Sequence, residues 1–237
     1  MSASDAITND VVDESGWTPS GLRVVEAAVS EAVEALVLSL AEEEMLARPN
    51  RDSAHEQDGP RIEMDSTPLG RSRVLRLGYD QSGGPIGDAR VPWWSYLIHS
   101  LLSPEIRARF DSVAICEFQP GCGIDAHADS PVYTGTTTVL CLGADATLTM
   151  RPRPSADDSW SRDRYSIALP RRCLYSMSGE ALERCTHEIL VPSAKKNERG
   201  ERTRISIVFR DAGSSVGQAL LGRVSARTAS TKTIRSP

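Results

Sequence analysis

Two stretches and one histidine constrain this chain more than anything else in it. The first stretch is Phe118-Gln-Pro-Gly-Cys-Gly-Ile-Asp-Ala-His-Ala-Asp129, the second is Arg204-Ile-Ser-Ile-Val-Phe-Arg210, and the histidine between them is His187. In strand geometry Ile205, Ile207 and Phe209 share one face, and Arg204, Ser206, Val208 and Arg210 share the other. The apolar trio asks for a core. Two arginines on the opposite face would be unremarkable toward solvent, but beside a His-x-Asp they read as part of a binding site.

A strand through His127 and Asp129 points both side chains to the same face, which makes half of a metal site. His187 is the natural third ligand. Two His and one carboxylate, with the remaining positions open, are the donor set of a non-haem Fe(II) oxygenase. A planar guanidinium holds a carboxylate through two parallel hydrogen bonds, and a co-substrate such as 2-oxoglutarate carries a carboxylate at each end.

These residues resemble a known family. His127-Ala-Asp129, His187 and Arg204 to Arg210 match the HxD…H…RxxxxxR signature of AlkB-like Fe(II)/2-oxoglutarate dioxygenases. The turn Pro120-Gly-Cys-Gly-Ile124, the approach Leu169-Pro-Arg-Arg172 to Gly179-Glu180, and the segment Arg73 to Tyr79 are similar to the branch that includes eukaryotic tRNA-modifying members. The resemblance spans roughly residues 70 to 212. It implies that His127, Asp129 and His187 bind Fe(II), with 2-oxoglutarate as co-substrate and O2 as oxidant. It also implies that Arg204, helped by Ser206, grips the distal carboxylate, and that Arg210 lies nearer the chelating one.

Two positions depart from the family. Members commonly carry an Asn and a Tyr on the strand before the HxD, where this chain has Cys116 and Phe118. A thiol is a weak donor and Phe has none, so up to two hydrogen bonds of about 0.5–1.5 kcal/mol each are missing, and weaker co-substrate binding is expected. Ser130-Pro131 stands where some base-demethylating members carry a second acidic residue.

Competing ligand patterns are separated by spacing. Cupins use several His with a Glu, whereas Asp129 follows His127 by two. The prolyl-hydroxylase type places its carboxylate-binding Lys or Arg about ten positions past the second His, which here is Asn197, with Lys195 and Lys196 nearby. The arginine pair favours the AlkB-like reading.

The expected fold is α+β and mainly β: a double-stranded β-helix, or jelly roll, with N-terminal helices packed outside it. Seven short runs between residues 113 and 209 read as strands. The expected organisation is a disordered tail over residues 1–17, a helical and nucleotide-recognition-lid-like region over 18–108, the oxygenase core over 109–212, and a basic flexible tail over 213–237. Thr18-Pro19 reads as the start of a helix whose stripe is Leu22, Val25, Val29, Val33, Leu36 and Leu40. Residues 50–70, 151–164 and 192–201 read as loops. In the lid-like region, Arg73 and Tyr79 are the expected substrate contacts, while Trp93 and Trp94 fit a helix-to-sheet core better than a stacking platform.

Composition narrows the setting. The five cysteines are odd in number and lack CxxC spacing, which argues against a disulfide scaffold and a structural zinc site. No apolar run approaches the ~20 residues needed to cross a bilayer, and no secretory signal is visible, so an intracellular location, cytoplasmic or nuclear, is expected with no membrane partner. The net charge of −5 gives no overall nucleic-acid footprint, although the acid-free tail carries Arg223, Arg227, Lys232 and Arg235. The expected function is oxidation of a modified or alkylated nucleobase in RNA or DNA. The alternatives are the same chemistry on a methylated protein side chain, or a non-catalytic binding domain.

Overall fold

The computed structural model describes residues 17–47, 62–67, 70–82, 84–86, 90–102, 109–153, 164–192 and 203–212. In chain order these form β1 (Leu22–Val25), α1 (Glu31–Leu46), β2 (Ile62–Thr67), β3 (Gly70–Leu77), α2 (Trp93–Leu101), β4 (Ser112–Phe118), β5 (Gly123–His127) and β6 (Thr134–Leu142). There follow β7 (Ala146–Pro152), β8 (Tyr165–Leu169), β9 (Leu174–Ser178), α3 (Gly179–Glu183), β10 (Cys185–Leu190) and β11 (Arg204–Asp211). The strands make two antiparallel sheets: a seven-stranded one in the order β1-β9-β6-β11-β4-β3-β2, and a four-stranded one in the order β5-β10-β7-β8. The jelly roll is the fold expected from the sequence.

Strand parity builds two cores. On the outer face of the large sheet, Leu75, Leu77, Val113, Ile115, Leu140, Leu142, Ile207 and Phe209 pack with Val37, Ala41 and Met45 of α1 and with Trp94 and Ile98 of α2. On its inner face Ala114, Phe118, Val139, Cys141, Tyr175, Met177 and Val208 meet Leu148, Met150, Ile167 and Ile189 from the small sheet. The large sheet is therefore apolar on both sides, and the few polar residues at inward parity stand out. Of the described residues before 109, β1, β2 and β3 belong to that sheet.

Three local expectations are corrected. Residues 22–25 do not begin a helix, because they pair as an edge strand with β9, Leu22 opposite Met177 and Val25 opposite Leu174. The helix starts after Ser30, whose side chain accepts from the Val33 N–H, and it buries Glu34, Val37, Ala41 and Met45, while Leu36 is 48% exposed. The stripe is offset from the expected one because Glu34 is tied down: it accepts from the Gly143 N–H at 2.9 Å and from Arg171. The stretch expected as loop over 50–70 contains β2, which pairs along its whole length with β3. That pairing satisfies backbone groups in a segment whose own side chains give little strand signal.

Trp94 is buried in the core as expected, whereas Trp93 is 70% exposed. Residues 1–16, 154–163, 193–202 and 213–237, which include both expected tails and most of two expected loops, lie outside the described residues. Among the described residues, no helix is long and apolar enough to cross a membrane.

Candidate active site

Two strands of the small sheet bring the histidines together. His187 on β10 lies directly opposite His127 at the end of β5, with ring centroids 4.3 Å apart. The approach depends on Gly123, since a Cβ there would sit 2.1 Å from the Ile189 carbonyl oxygen on β10. Asp129 completes the group, and the ligand atoms of His127, Asp129 and His187 all lie within 4.8 Å of one another.

Asp129 is not placed by strand parity, because β5 ends at His127 and Asp129 lies beyond it. Side chains of the large sheet hold it instead. Arg210 Nη2 donates to Asp129 Oδ1 at 2.7 Å, and Thr137 Oγ1 donates to Oδ2 at 3.3 Å. His127 Nδ1 lies 2.8 Å from the Asp125 carbonyl oxygen; donation from that nitrogen leaves Nε2 as the lone-pair donor.

The electrostatics suit a divalent cation. Burial would raise the Asp129 carboxyl, but Arg210, the two imidazoles and Thr137 outweigh it and hold the group below the ordinary carboxylate range. Burial, against the pull of Asp129, lowers His187 to about 4, so its imidazole is neutral and its lone pair available. An ionised carboxylate and two imidazoles at this separation are a donor set that Fe(II) accepts.

Next to this group lies a narrow inner pocket of about 50 Å³ that also borders Cys116, Phe118, Val139, Tyr175, Met177, Arg204, Ser206 and Val208. A wider mouth of about 280 Å³ adds Val74, Arg76, Gln81 and Tyr133. The two share Cys116, Phe118, Ile124, His127, Asp129 and Arg210, so they form one cleft.

Arg204 is 1% exposed at the inner end. Its Nη1 donates to Ser206 Oγ and its Nη2 to Cys141 Sγ at 3.1 Å, the Phe118 ring lies 5.6 Å from its Cζ, and its Nε has no partner. No protein carboxylate pairs with this guanidinium among the described residues. A buried cation in that state is strongly disfavoured unless an anion joins it, which is the fit expected for a ligand carboxylate. Burial would raise the Cys141 thiol, but a hydrogen bond with Cys173 and the charge and N–H of Arg204 bring it down to about 7. Arg210 faces the other way: besides Asp129 it meets the Tyr133 ring, 4.8 Å from its Cζ.

Most of the residues singled out in the sequence converge here. Cys116 and Phe118 stand opposite Ser206 and Arg204 in register, and burial pushes the Cys116 thiol up, leaving it neutral. Arg73 does not converge. It has outward parity on β3, pairs with Glu117 at 3.0 Å, and borders a groove beneath α1 with Leu38, Ala41 and Met45. The residues of β3 that border the cleft mouth are Val74 and Arg76, one position to either side of the outward Leu75. Tyr79 offers its carbonyl to Ser112 Oγ at 3.0 Å and to Tyr133 Oη at 3.3 Å, and it is Tyr133, not Tyr79, that borders the mouth. Thr137, Cys141, Tyr133 and Tyr175 were not singled out. For Thr137, Cys141 and Tyr175 a signal existed in parity alone, since Thr137 and Cys141 share the inward face of β6 with Val139, and Tyr175 that of β9 with Met177.

Similarity to known proteins agrees with this geometry. A curated relative, tRNA (carboxymethyluridine(34)-5-O)-methyltransferase ALKBH8 from Macaca fascicularis, is 25% identical over 206 residues, which is 82% of this chain. The chain spans 28% of that relative's length. Among solved structures, OsALKBH1 superposes with a TM-score of 0.57 at 11% identity, covering 82% of this chain and 100% of the other. An oxidoreductase of the 2OG-Fe(II) oxygenase family from Burkholderia pseudomallei gives 0.47 at 16% identity, covering 81% and 86%. No family model matches the chain. The chain is thus similar in sequence to ALKBH8 and in fold to OsALKBH1, and it carries a His-Asp-His group beside a buried arginine.

Proposed function

We propose that this chain is an Fe(II)- and 2-oxoglutarate-dependent dioxygenase that hydroxylates or demethylates a modified nucleobase in RNA or DNA. The observation that carries the reading is Arg204, a guanidinium 1% exposed and without a carboxylate partner, at the inner end of the pocket that borders the three metal-ligand candidates. His127, Asp129 and His187 would hold the metal, and the region 109–212 contains every one of these groups. When bound, iron and 2-oxoglutarate supply O2 activation coupled to decarboxylation, with transfer of one oxygen atom to a substrate C–H bond.

The chain's own residues have separable tasks. Arg204 and Ser206 anchor the far carboxylate of 2-oxoglutarate. Arg210 and Thr137 keep Asp129 ionised and aimed at the metal. Phe118, Val139, Met177 and Val208 wall the inner pocket and keep water from it. Val74, Arg76, Gln81 and Tyr133 meet the substrate at the mouth. A cation and an aromatic ring there suit a base and its phosphates, and the name of the ALKBH8 relative refers to a tRNA uridine.

The test measures succinate formed from 2-oxoglutarate with Fe(II) and O2, against a panel of tRNA, alkylated oligonucleotides and methylated protein extract. Stimulation by a nucleic acid is expected. Stimulation by the protein extract alone assigns the same chemistry to a protein side chain. A chain that binds no 2-oxoglutarate at all is a binding domain and not an oxygenase.

A further inference from the structure

One polar side chain in the inner pocket has no part in the site as described. Tyr175 of β9 is 4% exposed and borders the pocket, yet its hydroxyl makes no hydrogen bond among the described residues. The contrast with Tyr133 is informative, because that hydroxyl is satisfied by the Tyr79 carbonyl. A phenol so placed almost always finds a partner in protein, water or ligand, and this hydroxyl is not among the sealed-off polar atoms, so a ligand in the pocket can reach it.

Register places Tyr175 between the two poles of the pocket. It lies opposite Val139 on β6, which lies opposite Val208 on β11, midway between Ser206 and Arg210. The ring therefore springs from the row beside the one that holds Cys141 and Ser206, the two partners of Arg204. Phe118, opposite Arg204 on β4, has no hydroxyl to offer a ligand there.

We propose that Tyr175 is a ligand-binding residue whose O–H donates to the carboxylate of 2-oxoglutarate held by Arg204, making from β9 the hydrogen bond that Phe118 cannot make from β4. This rests on the reading of the pocket as a 2-oxoglutarate site and adds a residue to it. Burial pushes the phenol above its ordinary range, and after burial the charges acting on it are those of Cys141 and Arg204, ahead of Asp129. It is thus a protonated donor at any working pH, placed toward the Arg204 end.

The experiment is anaerobic calorimetry on the full chain loaded with Mn(II), titrated with 2-oxoglutarate. The proteins are wild type, Arg204→Ala, Tyr175→Phe, Phe118→Tyr and the double variant Tyr175→Phe/Phe118→Tyr. Tyr175→Phe should bind about 10-fold more weakly, the value of one hydrogen bond to a charged group. The double variant should recover most of that loss, because the hydroxyl returns from the neighbouring wall. The melting temperature of metal-free Tyr175→Phe should match that of wild type, since the hydroxyl makes no hydrogen bond among the described residues.

Three results overturn the proposal. Tyr175→Phe binding within twofold of wild type removes the role outright. Equal weakening in the single and double variants makes the effect one of packing. If wild type itself shows no binding, the 2-oxoglutarate reading fails and takes this inference with it; binding by wild type that is lost in Arg204→Ala keeps the reading standing while Tyr175 is judged separately.

Discussion

Arg210 on β11 donates to Asp129 at 2.7 Å, and this bond joins the two sheets at the metal group. Both histidines come from the small sheet, whereas the carboxylate is held by Arg210 and Thr137 of the large one. The candidate metal site therefore depends on how the sheets face each other.

Arg210→Ala should weaken Mn(II) binding about 10- to 100-fold, as loss of the partner that orients a ligand does, even though Arg210 is not itself a ligand. Metal titration followed by calorimetry checks this. Unchanged affinity would mean that Asp129 is aimed by the loop alone.

The three ligands should separate in their effect on the fold. His127→Ala and His187→Ala should each abolish metal binding and leave a cooperatively folded protein. Asp129→Ala should also abolish it and in addition cost about 3 kcal/mol, because it strands Arg210, whose side chain is 15% exposed. Urea unfolding of the metal-free variants gives the comparison, and equal stabilities would show the ion pair to be worth nothing.

Opposite faces of β3 should give opposite results. Arg76→Ala should raise the substrate KM several-fold at unchanged 2-oxoglutarate KM, because Arg76 borders the mouth. Arg73→Ala should leave both constants alone, since Arg73 pairs with Glu117 on the outer face. Arg204→Ala should do the reverse of Arg76→Ala and raise the 2-oxoglutarate KM at least tenfold, the scale of a lost charge-assisted pair. A substrate effect at Arg73 would place the substrate on the other side of the sheet.

Glu34→Ala should destabilise the fold by about 2 kcal/mol without changing the turnover of the folded fraction. Glu34 is buried on α1, accepts from the Gly143 N–H and from Arg171, and lines neither part of the cleft. Its loss leaves a buried donor without a partner. Thermal melts monitored beside a kinetic assay separate the two quantities.

How much of this was legible in the sequence depends on the range of the interaction involved. The alternation of Arg204 to Phe209 is local, and period-two geometry assigned its two faces correctly: Ile207 and Phe209 lie in the outer core, while Arg204 and Ser206 line the pocket. The strands around Tyr165–Leu169 and Leu174–Ser178 were legible for the same reason. Spacing and residue type brought His127, Asp129 and His187 together, but parity was the wrong reason for Asp129, which is held by Arg210 from 81 residues away.

Tertiary structure alone decided the rest. Leu22–Val25 carries an apolar spacing that fits either a helix or a strand, and the free edge of β9 settled it. β2 exists because β3 offers it a full register of hydrogen-bonding groups. Arg73 was singled out from its segment, yet which face of β3 meets the cleft depends on how β3 pairs with β4, and a shift of one residue exchanges Arg73 for Val74. Tyr175 reads as one more aromatic in a strand; only the assembled pocket shows that it borders the same space as Arg204. Local periodicity is carried by neighbours in the chain, whereas the pairing of edges and the company of a buried polar group are set by residues that only the fold brings together.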